Sequence, residues 1–173
     1  MPSVPRPDPS QYAPHYAKYI DLVPDGDLVA HLEVQARHFE ALLGGVDEPR
    51  AGFRYAPGKW SIKELVGHVA DTERIMAYRL LRIARGDGTP LAGFEMDDYV
   101  RVAQADRRSL EDLATEFSDV RRATLSLLRS LDPEALARMG TASGHPVSAC
   151  AVAHIIPGHL SHHGRILEER YLL

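Results

Sequence analysis

The stretch Trp60-Ser61-Ile62-Lys63-Glu64-Leu65 carries the clearest helix start in the chain. Ser61 and Glu64 form a capping box, in which the hydroxyl and the carboxylate each satisfy an unpaired backbone N–H group. Trp60 and Leu65 stand at the two positions of a hydrophobic staple, which fixes the angle at which the chain enters the helix. The residues that follow at helical spacing predict one buried face that ends at Gly86: Ile62, Leu65, Val69, Thr72, Met76, Leu80 and Ile83.

Three more helices are predicted around this one. Asp25 or Asp27 can cap a helix that ends at Gly44-Gly45, and Ser109 can cap a third. The fourth begins at Ser148 and continues to the C-terminus, with Pro157 expected to kink it. Shorter features are a helix within 95–103, a turn that starts at 132–134, and loops at 47–59 and 139–146.

Four long amphipathic helices without a sustained strand pattern predict an all-α protein, a four-helix bundle over residues 25–173. Residues 1–24 are rich in Pro and Tyr, and we expect them to form an extended N-terminal arm along the bundle. The connection between the second and third helices is long enough to run the length of the bundle. Those two helices therefore need not be antiparallel neighbours.

Composition excludes several classes of protein. The 173 residues are 45% hydrophobic, which suits one globular domain, and the net charge of −4 offers no basic surface for nucleic acid. No apolar run reaches the roughly 18 residues of a membrane helix, and the proline-rich start is unlike a signal peptide, so we expect a cytoplasmic protein. Cys150, the single cysteine, excludes an internal disulfide and is expected to be a small core residue.

The histidines of the fourth helix suggest a metal site. In His159-Leu160-Ser161-His162-His163, the residues four apart lie on one helical face, and a helical wheel places both within the buried stripe. His162 falls about 60° to one side and His154 about 140° away, toward solvent. His68, at the edge of the stripe on the second helix, is a candidate third ligand. The alternative is a pair of core histidines bonded to backbone or to buried tyrosine.

Charged residues near these histidines each allow more than one role. Asp71 could orient the His68 imidazole, but the wheel places it about 140° from the stripe and favours a solvated position. Glu73 lies closer to the stripe, so no general base is assigned. Arg170 falls on the inward side, and the Arg107-Arg108 and Arg121-Arg122 pairs are expected on solvated faces. The other two histidines of interest, His31 and His38, share one edge of the first helix.

Two segments resemble the two signature segments of the DinB-like superfamily, which includes YfiT-like metal-dependent hydrolases. They are residues 58–73, around Gly67-His68-Val69-Ala70-Asp71, and residues 158–167, around the His159 to His163 segment. The resemblance implies an up-down-down-up bundle that binds a divalent metal, Zn or Ni, through His68, His159 and His163. It also implies a homodimer. Thiol S-transferases that use low-molecular-weight thiols occur in the family.

The resemblance leaves the reaction open. A metal with three histidine ligands and an open position can activate water for hydrolysis or a small thiol for transfer to a small-molecule substrate. The alternative is a stress protein that binds metal or a small ligand without catalysis. A third reading is a structural protein that acts through its dimer surface.

Overall fold

The structure is a computed structural model that describes residues 4–172, so Met1 to Ser3 and Leu173 of the predicted arm and bundle lie outside it. Its helices are α1 Ala17–Ile20, α2 Leu28–Gly44, α3 Glu48–Ala51, α4 Ile62–Ala84, α5 Met96–Ala103, α6 Leu110–Arg129, α7 Pro133–Ala137 and α8 Ala149–Ile166. Short 3-10 turns lie at Pro9–Gln11, Pro14–Tyr16 and Ala105–Arg107, and a π turn, Leu167–Tyr171, follows α8 directly. The strands are β1 Met139–Ala142 and β2 His145–Ser148.

The four long helices begin at the residues that the sequence predicted. Asp27, Ser61, Ser109 and Ser148 each accept a hydrogen bond from a backbone N–H group of the first turn. At Ser61 the capping box is complete, because the Glu64 carboxylate also accepts from the Ser61 backbone N–H at 2.9 Å. The starting positions of α2, α4, α6 and α8 are therefore set by local hydrogen bonds, and the four-helix bundle is confirmed.

Hydrogen bonds between the long helices and the residues at their ends fix the helix directions as up, down, down and up. Two helices are parallel when the residue numbers on both rise from one hydrogen-bonded pair to the next, and antiparallel when the numbers on one helix rise while those on the other fall. The pairs are Gln35 with Pro157 and His38 with Glu168 (α2 parallel to α8), Glu33 with Arg129 and Glu40 with Ser118 (α2 antiparallel to α6), Ser61 with Asp106 and Glu73 with Arg121 (α4 parallel to α6), and Trp60 with Tyr171 and His68 with His159 (α4 antiparallel to α8).

The N-terminal arm lies against α8. It contains two 3-10 turns and α1, so it is not extended along its whole length. The contact is close, because a Cβ added at Gly158 would overlap with the backbone carbonyl of Tyr19. His154 of α8 is only 4% exposed, and the arm reaches this side of the helix, because Pro5 accepts a hydrogen bond from Cys150 one turn before His154. The prediction that His154 faces solvent is therefore wrong, because the wheel counted only the bundle as a burying surface.

Residues 139–148 form a β-hairpin where the sequence predicted a loop. β1 and β2 pair antiparallel, with Ala142 opposite His145. Ser143 and Gly144 connect them with φ values of 52° and 80°, the positive values that a tight two-residue turn requires. The loop prediction was wrong here because the strands are four residues long and carry Gly140 and Pro146, both typical of loops.

A buried polar layer divides the core into two apolar halves. Phe117 and Leu160 belong to one half, and Leu80 and Val152 to the other. Arg121, in the layer between them, is 1% exposed and donates to both carboxylate oxygens of Glu73 at 2.8 Å. It also donates to the Leu32 carbonyl oxygen and to the Gln35 side chain. The prediction that Arg121 lies on a solvated face is therefore wrong.

The C-terminal turn changes the helical register. A π turn has about one more residue than an α turn, so the residues after Leu167 rotate away from the positions that a regular wheel assigns to them. Tyr171 consequently takes the buried place, at 2% exposure, and Arg170 is exposed. The inward position predicted for Arg170 is wrong for this reason. Within residues 4–172, none of the helices combines the length and the apolar character that crossing a membrane requires.

Candidate metal centre

His68, His159 and His163 come together between α4 and α8. Each offers a ring nitrogen, and the three nitrogens all lie within 4.8 Å of one another. The Nε2 atoms of His68 and His159 are 3.1 Å apart. All three side chains are buried, with relative exposures of 4%, 7% and 8%. We call these three residues the histidine cluster.

The histidine cluster is uncharged at neutral pH. Burial lowers the pKa of His163 to about 3 and that of His68 to about 4, and holds the pKa of His159 well below its ordinary value. Positive charge on one ring would also raise the energy of charging the next, which adds to the shift at His159 and His163. A neutral imidazole keeps the lone pair that a metal ion needs.

The donor set and its spacing fit a divalent metal. Three imidazoles that hold a tetrahedral ion at about 2.0–2.1 Å would have nitrogens about 3.3 Å apart, within the range that the histidine cluster spans. Among the residues described, no backbone group or tyrosine hydroxyl hydrogen-bonds to these three rings. This differs from the pair of core histidines bonded to backbone or to buried tyrosine that the sequence left as the alternative.

Aromatic side chains hold the rings in place. The Trp60 ring lies 4.6 Å from the His68 ring and 6.2 Å from the His163 ring, between centroids. On the other side, the Tyr19 ring is 5.5 Å from the His159 ring. The sequence assigned Trp60 only to a staple and missed Tyr19, because neither contact follows from the periodicity of a single helix. His162 lies beside Tyr19, outside the histidine cluster, as the wheel predicted.

Two clefts reach the histidine cluster from different sides. The first, which we call the arm cleft, has a volume of about 260 Å³. Its lining includes Lys18, Tyr19, His68, Thr72, Arg79 and His159. The second, the Trp60 cleft, has a volume of about 300 Å³ and is lined by His163, Trp60 and Asp97 among others. A small molecule could therefore approach the imidazoles from either side.

The structure separates the acidic residues near the site. Asp71 pairs with Arg74 at 3.4 Å and does not hydrogen-bond to His68, and Glu73 is held by Arg121. Asp97 is exposed in the Trp60 cleft, and its charge partly opposes the lowering of the His68 pKa that burial causes. Of the carboxylates in residues 4–172, Asp97 is the one that lines either cleft.

The other candidates lie away from the metal centre. His31 is half-buried, and burial is the main cause that lowers its pKa. His38 pairs with Glu168 at the surface. Cys150 is buried, donates to the Pro5 carbonyl oxygen at 2.9 Å, and has a pKa raised by burial to about 11. Its expected role as a core residue agrees with this environment.

Comparison with known proteins supports the family that the sequence suggested. The sequence model of the DinB superfamily matches residues 31–167, which includes all three members of the histidine cluster. Among curated proteins, none matches this chain.

Solved structures share the fold at low identity. YfiT from Bacillus subtilis, described as a probable metal-dependent hydrolase with an unusual four-helix bundle topology, matches with a TM-score of 0.71 and 14% identity over 91% of this chain and 86% of its own. A mycothiol-dependent maleylpyruvate isomerase matches with a TM-score of 0.63 and 17% identity, over 82% of this chain and 61% of its own. A DinB-like protein from Bacillus subtilis, YjoA, matches with a TM-score of 0.60 and 20% identity, over 83% and 87%.

Proposed function

We propose that this chain, which belongs to the DinB superfamily, binds one divalent metal ion through His68, His159 and His163 and uses it as a metal-dependent enzyme on a small molecule. The observation that carries the proposal is the convergence of three buried, neutral imidazoles that have no other strong hydrogen-bond partner among the described residues. Zn and Ni are the proposed metals, since both accept imidazole ligands. A ligand set of three leaves one coordination position for water or substrate.

The bound ion would act as a Lewis acid, lowering the pKa of a water or thiol that reaches it. The residues of this chain would hold and shield that centre. Trp60 and Tyr19 pack against the imidazoles on two sides and would limit their movement. Asp97, exposed in the Trp60 cleft, is the proposed proton acceptor, because Asp71 and Glu73 are both engaged by arginine.

Two reactions fit this centre, and the proposal keeps both: hydrolysis, and transfer of a low-molecular-weight thiol to an electrophilic substrate. YfiT, as a probable metal-dependent hydrolase, is a precedent for the first, and the mycothiol-dependent isomerase is a precedent for the use of a small thiol. Cys150 is not proposed as a nucleophile, because its thiol is buried and its pKa is raised.

Metal analysis tests the ligand assignment. Purified protein should carry about one Zn or Ni per chain, and His159→Ala should lose it while keeping its helical circular dichroism. His162→Ala is the matched control, since it removes a neighbouring imidazole that lies outside the histidine cluster. Full metal content in His159→Ala, or equal loss in both variants, would contradict the assignment.

Turnover separates an enzyme from a binding protein. Thiol cofactors are screened in pairs with electrophilic substrates, and esters and amides are screened for hydrolysis, each with metal-loaded and metal-free protein. Asp97→Asn should lower the rate of any reaction found while leaving metal content unchanged. A protein that binds metal fully yet turns over nothing above the metal-free background would favour the non-catalytic stress-protein alternative.

We also propose a homodimer and a cytoplasmic location. The outer face of α4 and α6 exposes Tyr78 and Leu81, at 51% and 39%, beside Leu127. An apolar face of this kind is typical of a subunit contact. Light scattering of the purified protein, compared with Leu81→Glu, tests the dimer, which a monomeric wild-type protein would exclude.

A further inference from the structure

Arg79 of α4 is a buried cation that pairs with none of the described carboxylates. Its side chain is 2% exposed, and one terminal nitrogen donates to the Ala92 carbonyl oxygen at 2.7 Å and to the Ser143 hydroxyl at 2.9 Å. Arg79 also contacts the Met76 sulfur and the face of Phe94. Arginine stays charged in proteins, and a buried charge without a counter-ion is unfavourable. A bound anion beside Arg79 would therefore stabilise this arrangement.

Thr72 adds an unpaired polar group to the same wall. It stands between His68 and Arg79 on α4 and is 4% exposed. Its hydroxyl oxygen is buried and has no hydrogen-bond partner in residues 4–172. A buried hydroxyl without a partner is unfavourable, and native proteins rarely keep one without reason. All three side chains line the arm cleft.

The arm cleft as a whole is positively charged. Lys18 of α1 also lines this cleft, with its ammonium 4.8 Å from the centre of the Tyr19 ring. No aspartate or glutamate of the described chain lines this cleft, and Asp97 lies in the other one. A volume of about 260 Å³ is below that of the smallest usual drug-sized sites, so the fitting ligand is small.

We propose that the arm cleft binds a small organic anion, with its carboxylate accepting from Arg79, its other end facing His68 and His159, and the positive charge of Lys18 in the same cleft adding to the attraction. Because one terminal nitrogen of Arg79 is already engaged by Ala92 and Ser143, the carboxylate would accept a charge-assisted hydrogen bond from the other terminal nitrogen, and Lys18 adds a second positive charge in the same cleft. The Thr72 hydroxyl supplies a further hydrogen bond. This inference rests on the proposed function and deepens it by naming its substrate class, a carboxylate-bearing small molecule.

Anion binding is measured on metal-free protein, so that its outcome does not depend on the metal. Metal is removed with the neutral chelator 1,10-phenanthroline, which is then dialysed away, because a carboxylate chelator would compete for the cleft. Glutarate is the probe and uncharged glutaramide its matched control, with binding followed by calorimetry at low salt. Glutarate should bind at least tenfold more tightly than glutaramide, and its affinity should fall as NaCl is raised.

Variants separate an anion site from a structural clamp. Arg79→Gln should weaken glutarate binding about tenfold or more. Because Arg79 also ties α4 to Ala92 and to the hairpin, Lys18→Gln serves as a second variant at an exposed position, and it should weaken binding without changing stability. Arg85→Gln, exposed at the end of the same helix, should bind as wild type does.

The possible results decide between the two proposals. Equal binding of glutarate and glutaramide, or unchanged affinity in both Lys18→Gln and Arg79→Gln, would overturn the anion site. Metal content is measured on the same samples. Loss of anion binding in a variant with full metal supports the anion site and leaves the metal assignment standing, whereas anion binding in a protein that never takes up metal would defeat the metal assignment alone.

Discussion

Replacing Arg121 with methionine tests the buried polar layer more directly than any other single change. The Arg121 and Glu73 side chains are 1% and 3% exposed, and both carboxylate oxygens accept from the guanidinium. Methionine has nearly the length of the arginine stem, so Arg121→Met would remove the charge and the donors while leaving most of the packing volume filled. The Glu73 carboxylate would then be buried without a partner.

The loss of stability in Arg121→Met follows from the burial of the unpaired Glu73 carboxylate. Removing one member of a buried ion pair destabilises a protein by about 3–5 kcal/mol, whereas an exposed pair contributes about 0–1 kcal/mol. At about 2–4 °C per kcal/mol for a chain of this size, Arg121→Met should lower Tm by on the order of 10 °C. Replacing both partners, as Arg121→Met with Glu73→Leu, should restore much of the loss, because no uncompensated charge remains.

Circular dichroism measures both quantities: urea denaturation gives the free energy of unfolding, and thermal denaturation gives Tm. Arg122→Met is the control, because its neighbouring guanidinium is 77% exposed and pairs with Asp119 at the surface, so the change should stay within about 0.5 kcal/mol. If Arg121→Met destabilised the protein no more than Arg122→Met, the buried position of the pair would be refuted. If the double variant were no more stable than Arg121→Met, the explanation by an unpaired carboxylate would fail.

Three further predictions concern the histidine cluster, the arm and the cysteine. Burial lowers the folded-state pKa of His68 to about 4 and that of His163 to about 3, so the unfolded chain takes up protons first as pH falls. Metal-free protein should therefore lose about 1.4 kcal/mol of stability per histidine and per pH unit below about pH 6.5. Urea titrations at several pH values should show that the free energy of unfolding falls less steeply with pH in His163→Gln than in the wild-type protein. Gly158→Ala should destabilise the protein by about 1–3 kcal/mol in the same assay, because the added Cβ would overlap with the arm backbone. Gly164→Ala is the control and should be neutral or slightly stabilising, because a Cβ at that position meets nothing within 4 Å. Equal effects of the two substitutions would contradict the close contact between the arm and α8. Cys150 should react with a thiol reagent at pH 8 far more slowly than it does in urea, because its pKa is raised to about 11 and its side chain is buried, and a rapid native reaction would disprove this environment.

Local signals predicted the helices well, because each start depends on residues that are adjacent in sequence. The Ser61 to Glu64 capping box needs only four residues, and it is formed in the structure. The pairing of His159 with His163 likewise follows from one helix and its period. What could not be predicted depends on contacts between distant segments, such as the arm that reaches the His154 side of α8 or the carboxylate that makes burial of Arg121 tolerable.

The two arginines that the sequence misplaced show different physical limits of a helical wheel. At Arg121 the helical wheel allowed an inward position, but arginine is usually exposed, so the residue type predicted a solvated face. Only the buried glutamate on another helix makes an inward arginine tolerable. At Arg170 the residue type mattered less than the geometry, because the π turn adds a residue to the last turn and Tyr171 takes the inward place. A wheel with a constant angle per residue cannot contain such a turn.

Arg79 is a different case, because its position could have been read from the sequence. It lies eleven residues after His68, about three helical turns, which places the two side chains within about 20° of each other on the wheel. Thr72, one turn after His68, falls on the same side. A cation and a hydroxyl at the edge of the buried stripe, on the face that carries a candidate metal ligand, are residues that a core would not select for packing. That face of α4 can therefore be understood as a binding wall. The backbones of His68 and Arg79 are about 16.5 Å apart along the helix axis at 1.5 Å per residue, and helical side chains lean toward the helix N-terminus, so the long Arg79 side chain reaches back toward the imidazole.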